Sequence, residues 1–138
     1  MYDQLKLGNQ LCFPLYAISK EITRRYTPLL RELDLTYPQY LVMLVLWEFG
    51  SQSVGEIGDK LHLDSGTLTP LLKRLQSKEL IARTRSQTDE RTVIITLTEQ
   101  GQALKNQAVD IPKKMAECLN LSDDEVVSLQ KIVLKLNG

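Results

Sequence analysis

The 138-residue sequence is short of the residues from which most small catalytic and metal sites are built, with two cysteines, one histidine and one tryptophan. Cys12 and Cys118 stand near opposite ends, which gives neither a disulfide framework nor a CxxC pair for zinc. His62 has no companion at ligand spacing, so no metal and no cofactor is expected, and it is placed on a solvated helix face. Seven scattered glycines and one histidine leave no glycine-rich phosphate loop and no Ser-His-Asp arrangement. No run approaches the roughly 20 apolar residues of a membrane span. The opening Met1-Tyr2-Asp3-Gln4-Leu5-Lys6 lacks the basic start and apolar stretch of a signal peptide. A cytoplasmic protein with no membrane partner is therefore expected. Charge of one sign is also missing: 17 Lys and Arg balance 17 Asp and Glu, which excludes a uniformly basic, histone-like binder of polyanions.

What is present is a core. A hydrophobic fraction of 43% beside 25% charged residues lies far from disordered compositions, and the length suits one domain, 1–138. Leu15, Ile18, Ile22, Tyr26 and Leu29 recur in steps of three and four, predicting an amphipathic helix from Pro14 to about Leu30. Pro14 suits its first turn, so Cys12 falls at or just before a helix N-terminus. Tyr40 to Trp47 is apolar all round and reads as the central core helix, opened by Pro38. Ser53-Val54-Gly55-Glu56 has the pattern of a capping box ahead of a short helix. Asp64 or Ser65 caps the next, which carries Leu68, Leu71, Leu72 and Leu75. Two such helices joined by His62-Leu63-Asp64 resemble a helix-turn-helix.

After Leu80 the period changes to two. Ile81 to Ser86 and Arg91 to Thr98 alternate, with Val93, Ile95 and Leu97 on one face, predicting a β-hairpin with its tip at Asp89. Thr98 caps a helix expected over 99–119, and Ser122-Asp123-Asp124-Glu125 opens a last one to about Leu136. The fold class is mainly α with a β-hairpin wing.

The neutral total hides an uneven distribution. Residues 71–91 carry Lys73, Arg74, Lys78, Arg83, Arg85 and Arg91 against Glu79, Asp89 and Glu90, a surplus of three. Residues 110–128 carry two Lys against five acids. A basic second helix followed by a basic hairpin is how a winged helix-turn-helix meets double-stranded DNA, with helix in the major groove and wing in the minor groove. Ser65, Thr67 and Thr69 suit base edges or phosphates, and Leu68 and Pro70 suit thymine methyls. Lys73 and Arg74 suit phosphates, with Arg83 and Arg85 adding charge on the hairpin. Arg91 suits minor-groove insertion, with Asp89 bonding its guanidinium or a neighbouring backbone group to hold the tip. A charge run also has the plainer reading of a solvated face.

Cys12 sits among Leu11, Phe13, Leu15 and Tyr16 beside a helix start. A helix N-terminus and tyrosine hydroxyls favour a thiolate, whereas apolar burial opposes it, so both a reactive thiol and an inert core cysteine fit these residues.

Longer blocks carry a resemblance. Leu11-Cys12-Phe13, Leu15-Tyr16, Leu35-Thr36-Tyr37-Pro38-Gln39-Tyr40, the run Leu63 to Leu72, Asp89-Glu90-Arg91 and Leu97-Thr98-Glu99-Gln100-Gly101 are similar to the MarR family, in its organic hydroperoxide resistance regulator branch. The match runs in order from about Gln10 to Gly101, and the last 37 residues match in helical pattern alone. The resemblance implies a homodimeric winged-helix repressor of an inverted-repeat operator, with about 36–98 as the winged helix-turn-helix and about 10–31 and 99–137 as dimerisation helices. It implies that Cys12 senses organic hydroperoxide, that Tyr26 and Tyr37 stabilise its thiolate, and that Phe13 and Tyr16 line the sensing pocket. Tyr16 reads equally as a core aromatic.

Capture of the oxidised Cys12 as a disulfide then shifts the dimer off DNA. Cys118 is the candidate resolving thiol, a small-molecule thiol is the other, and the apolar series Ile111, Met115 and Leu119 also allows Cys118 to be buried core. Two other functions compete. One is a related repressor answering to a small aromatic or anionic ligand in the dimer cleft, with Cys12 incidental. The other is a cysteine peroxidase, which the missing βαβ pattern and CxxC weaken.

Overall fold

The computed structural model describes residues 2–137. The chain divides into two compact units, Met1–Tyr37 and Pro38–Gly138.

In the first unit, two single-turn 3-10 helices, Asp3–Leu5 and Leu7–Asn9, are tied by side-chain amides: Asn9 Nδ2 donates to the Asp3 carbonyl (2.7 Å) and Gln10 Nε2 to those of Gln4 (2.9 Å) and Lys6 (2.8 Å). Helix α1 spans Phe13–Arg31, with Pro14 in its first turn and Cys12 at the N-cap. It closes where Leu33 and Leu35 N–H both return to the Leu30 carbonyl and Asp34 adopts a left-handed φ of 53°.

In the second unit, α2 (Tyr37–Phe49, opening on the last residue of the first unit) buries Gln39, Tyr40, Val42, Met43, Val45 and Leu46, the several-sided burial its composition predicts. Gly50, with φ 75°, ends it at a backbone angle that favours glycine. Strand β1 (Gln52–Ser53) follows. In α3 (Val54–Leu61) both arms of the capping box form: Ser53 Oγ accepts from Glu56 N and Glu56 Oε1 from Ser53 N, each at 3.0 Å. His62 is solvated as expected, but it is the left-handed C-cap (φ 58°) beyond the helix end rather than on a helix face. Helix α4 (Ser65–Ser77) is capped by Asp64, not Ser65, and buries Leu68, Leu71, Leu72 and Leu75.

The hairpin consists of β2 (Ile81–Arg85) and β3 (Val93–Leu97), paired antiparallel with Ile81 opposite Leu97 and Arg85 opposite Val93. β1 adds to the other edge of β3, giving the sheet order β1-β3-β2. Ile81 and Ile95 point into a core shared with Ile57, Leu68, Leu72 and Leu75.

The helix expected over 99–119 is two: α5 (Glu99–Ala108) and α6 (Ile111–Leu119). Pro112 explains the break, since it has no N–H to donate to the Ala108 carbonyl and its ring clashes there. Thr98 caps α5, its Oγ1 accepting from Gly101 N at 3.0 Å and donating to the Glu79 carbonyl. Gly101 is obligatory at this junction, because a Cβ there would lie 2.1 Å from the Leu80 carbonyl oxygen. Its own carbonyl accepts the Trp47 indole N–H at 3.0 Å, joining α2 to the head of α5.

The final helix, α7 (Asp123–Asn137), has its capping box in place through Ser122 and Glu125. It buries no residue, and Val126, Val127, Ile132, Val133, Leu134 and Leu136 are exposed along it. No helix among the described residues is long and apolar enough to cross a membrane.

Candidate nucleic-acid interface and thiol site

The N-terminus of α4 is prepared by one carboxylate. Asp64 Oδ1 accepts from Thr67 N (3.2 Å), and the Thr67 side chain first, with that backbone bond second, holds the carboxyl below its ordinary range. Ser65, Thr67 and Pro70 are exposed on the first turns and Thr69 is half-buried. Leu68 is 1% exposed, so it belongs to the core and has no surface for a thymine methyl, contrary to expectation. The helical period that made Leu68 a core residue excludes it from the outer face. Further along, Lys73 and Arg74 are exposed, while Lys78 turns to the buried Gln39 and donates to its Oε1 at 3.0 Å.

The wing tip is built around Asp89. Its Oδ1 accepts from Arg91 N (3.0 Å), its Oδ2 from the Thr92 hydroxyl (3.2 Å), and its carbonyl from Thr92 N (2.9 Å). Of the two partners expected for Asp89, the structure chooses the backbone group, which leaves the exposed Arg91 guanidinium unengaged by it. Arg85 Nη1 donates to the Glu90 carbonyl (2.9 Å), bracing the same loop. Arg83 is half-buried at the wing root. None of Lys73, Arg74, Arg83, Arg85 and Arg91 makes an ion pair among the described residues, where pairs form at Asp3–Lys6 and at Glu21 with Arg24 and Arg25. The basic surplus is thus unneutralised on α4 and the wing.

The second site lies in the first unit. Cys12 is exposed, so it is no core residue within the chain; Leu11 beside it is 89% exposed. Phe13 and Tyr16 stand 6.3 Å apart between ring centroids, and Lys20 Nζ lies 5.4 Å from the Tyr16 ring. Tyr16 is 60% exposed, so it is no core aromatic within the chain. These rings open a groove of about 800 Å³ that continues along α1 past Lys20 and Arg24. Tyr26 and Tyr37 form a second pair, with centroids 4.6 Å apart. Burial pushes the Tyr37 phenol above its ordinary pKa, which already lies well above neutral pH. At 1.5 Å per residue, the fourteen positions from Cys12 to Tyr26 put the thiol and this pair about 21 Å apart along one helix. Sequence reasoning brought them together without seeing that separation. Cys118 is exposed on α6 although Ile111 and Met115 of the same series are buried, so it is not core.

Three helices, a small sheet and a two-stranded wing arranged in this order define a winged helix-turn-helix protein. The family model for transcriptional regulator SarA/Rot matches residues 24–108. The organic hydroperoxide resistance transcriptional regulator of Bacillus subtilis is 50% identical over 135 residues, spanning 98% of this chain and 92% of that protein. Among solved structures, reduced AbfR bound to DNA is 38% identical with a TM-score of 0.82, covering 97% of this chain and 94% of its own. Disulfide-formed AbfR is 36% identical with a TM-score of 0.65, covering 99% and 96%; AbfR comes from Staphylococcus epidermidis. The chain belongs to the MarR family of transcriptional regulators, in its organic hydroperoxide resistance regulator branch.

Proposed function

We propose that this regulator is a homodimeric repressor that binds an inverted-repeat DNA operator through α4 and the wing, and releases it when an organic hydroperoxide oxidises Cys12. The observation that carries the reading is the exposed thiol at the head of α1, beside the Phe13–Tyr16 groove. It gains weight from a relative known in both a reduced, DNA-bound and a disulfide form. Membership of a regulator family, rather than any missing feature, sets the peroxidase reading aside.

The chemistry has two steps. The Cys12 thiolate attacks the terminal oxygen of the hydroperoxide and the O–O bond breaks. Sulfur is oxidised to sulfenic acid, and the alkoxide takes a proton to leave as alcohol. A second thiol then attacks the sulfenic sulfur, forming a disulfide and releasing water. That thiol is Cys118 of the partner subunit or a small-molecule thiol. The apolar rings beside Cys12 favour a hydroperoxide with an organic tail over hydrogen peroxide.

Dimerisation accounts for two features at once. It covers the apolar residues of α7 and of the α1 face bearing Leu15 and Ile18. It also answers the 21 Å gap, since a tyrosine pair too far from its own Cys12 can reach that of a partner. The disulfide alters the spacing of the two recognition helices, which must meet major-groove half-sites about one turn of DNA apart.

The test is a mobility shift on a labelled operator with cumene hydroperoxide or hydrogen peroxide, using wild type, Cys12→Ser and Cys118→Ser. Wild type is expected to release at lower doses of the organic oxidant and Cys12→Ser to stay bound. Unimpaired release by Cys12→Ser overturns the sensor role. Full release by Cys118→Ser with no added thiol overturns Cys118 as the resolving group.

A further inference from the structure

Between the end of α4 and the root of the wing lies a polar cleft of about 220 Å³, lined by Gln76, Arg83, Thr84, Arg85 and Val93. We propose that this cleft seats one backbone phosphate of DNA, gripped by Arg83 with Arg85 beside it. The proposal rests on the DNA-binding reading above and adds to it a specific ligand group and the residue that holds it.

Three observations converge. First, Arg83 Nε is sealed from solvent and has no hydrogen-bond partner among the described residues. Buried guanidinium N–H groups almost always find an acceptor, so an unmet one marks a side chain held ready for a partner. Second, the positive charge is uncompensated. Neither arginine makes an ion pair among the described residues, and Asp89, an acid of the same hairpin, has both carboxylate oxygens engaged by Arg91 N and the Thr92 hydroxyl. Third, the two arginines share a face. Arg83 lies opposite Ile95 and Arg85 opposite Val93, two residues apart on β2, so both side chains leave the strand on one side.

The position selects the anion. A recognition helix in the major groove and a wing in the adjacent minor groove stand on either side of the sugar–phosphate strand that separates those grooves. The cleft lies between these two elements, where that strand passes. A guanidinium offers paired N–H groups matched to two phosphate oxygens. Arg83 reaches the phosphate by rotating about its own side-chain torsions, which exchanges an unmet donor for a charge-assisted bond and so lowers what the free protein gives up on binding. Arg85, pinned to the Glu90 carbonyl through Nη1, keeps its other N–H groups for the same anion and fixes the cleft's outer wall. Such a contact reads no sequence; it sets the register of α4 against the wing.

The test compares wild type, Arg83→Gln, Arg83→Lys and Arg91→Ala on an operator duplex and a random-sequence duplex over a range of salt. Arg83→Gln is expected to lose roughly tenfold in affinity on both duplexes and to lower the slope of log affinity against log salt by about one. Arg83→Lys, which keeps the charge without the fork, is expected to restore the slope and only part of the affinity. In wild type, the Arg83 Nε–H signal in 15N NMR is expected to shift on adding duplex and to stay in place with inorganic phosphate at the same phosphate concentration. An unchanged salt slope and an unmoved Nε–H signal, with Arg91→Ala still weakening the operator, overturn the phosphate seat and leave DNA binding standing. A shift with inorganic phosphate equal to that with duplex overturns the backbone as its source. Failure of wild type to bind either duplex overturns the underlying reading instead.

Discussion

Tyr26 and Tyr37 hold their rings 4.6 Å apart at a tilt of 36°, one near the end of α1 and the other opening α2. The Tyr37 phenol, like any phenol, is protonated at neutral pH, and burial raises its pKa further. The pair's distance from Cys12 on the same helix makes the geometry testable in mixed dimers. Pairing a Cys12→Ser subunit with a Tyr26→Phe, Tyr37→Phe subunit leaves a single Cys12, in the subunit without tyrosine hydroxyls. If the hydroxyls act across the dimer, that thiol forms sulfenic acid at the wild-type rate. A homodimer of the tyrosine double variant is expected to be slower by roughly tenfold or more, tenfold being about the worth of one hydrogen bond to a charged group. A slow mixed dimer places the tyrosines within one subunit and sinks the proposal.

Gly101→Ala is expected to be the most damaging single-methyl change in the chain. Its Cβ would sit 2.1 Å from the Leu80 carbonyl oxygen, where backbone rather than a flexible side chain must move. A loss of about 3 kcal/mol or more is expected in urea unfolding. Gly66→Ala in α4, whose Cβ meets nothing closer than Asp64 Oδ2 at 3.5 Å, is the control. It is expected to gain up to about 1 kcal/mol from helix propensity.

The wing tip separates shape from contact. Asp89→Ala removes the acceptor for Arg91 N and the Thr92 hydroxyl, and is expected to weaken operator binding roughly tenfold by loosening the tip. Because these bonds are exposed, thermal melting is expected to move by only a few degrees. Arg91→Ala leaves the tip formed and is expected to weaken binding most where the minor groove is A·T-rich and narrow. Fluorescence anisotropy with operators differing only at those positions tells the two apart.

A pH effect is expected on α1. Glu21 is lowered from 4.5 to about 2 by hydrogen bonds from Arg24 first and Arg25 second. A carboxyl with a depressed folded-state pKa stabilises fully above its unfolded value and loses that contribution as pH falls from about 4.5 towards 2. The group is solvent-exposed, so the effect is a small loss of α1 helicity at acid pH, weaker in high salt. Glu21→Gln is expected to flatten that part of a circular-dichroism titration.

Much of the second unit is legible in sequence because its signals are local. Ser53, Asp64, Thr98 and Ser122 each announce a helix start by a side chain reaching three residues ahead. The leucines of α4 declare their face by spacing alone. What is missed is non-local or too short to have a period. β1 has two residues and exists only through its pairing with β3. The bond from Trp47 to Gly101 spans 54 positions, and Lys78 to Gln39 spans 39. The break between α5 and α6 was readable from Pro112, which marks a first turn just as Pro14 does, but the apolar series running through Ile111 and Met115 masks it. The thiol site divides the same way: Cys12 at a helix head is local, whereas the exposure of Cys118 and the remoteness of Tyr26 emerge once helices have length and faces.

The bond between the Trp47 indole and the Gly101 carbonyl gives the molecule its own optical gauge. Trp47 is the sole tryptophan, so all indole emission comes from the seam where the central helix meets the head of α5. A change in packing at this seam, where Lys105 Nζ also donates to the Trp47 carbonyl, is expected to alter the colour and polarisation of the emitted light in unlabelled protein. The signal switches from reporting a seam to reporting water when the indole lets go.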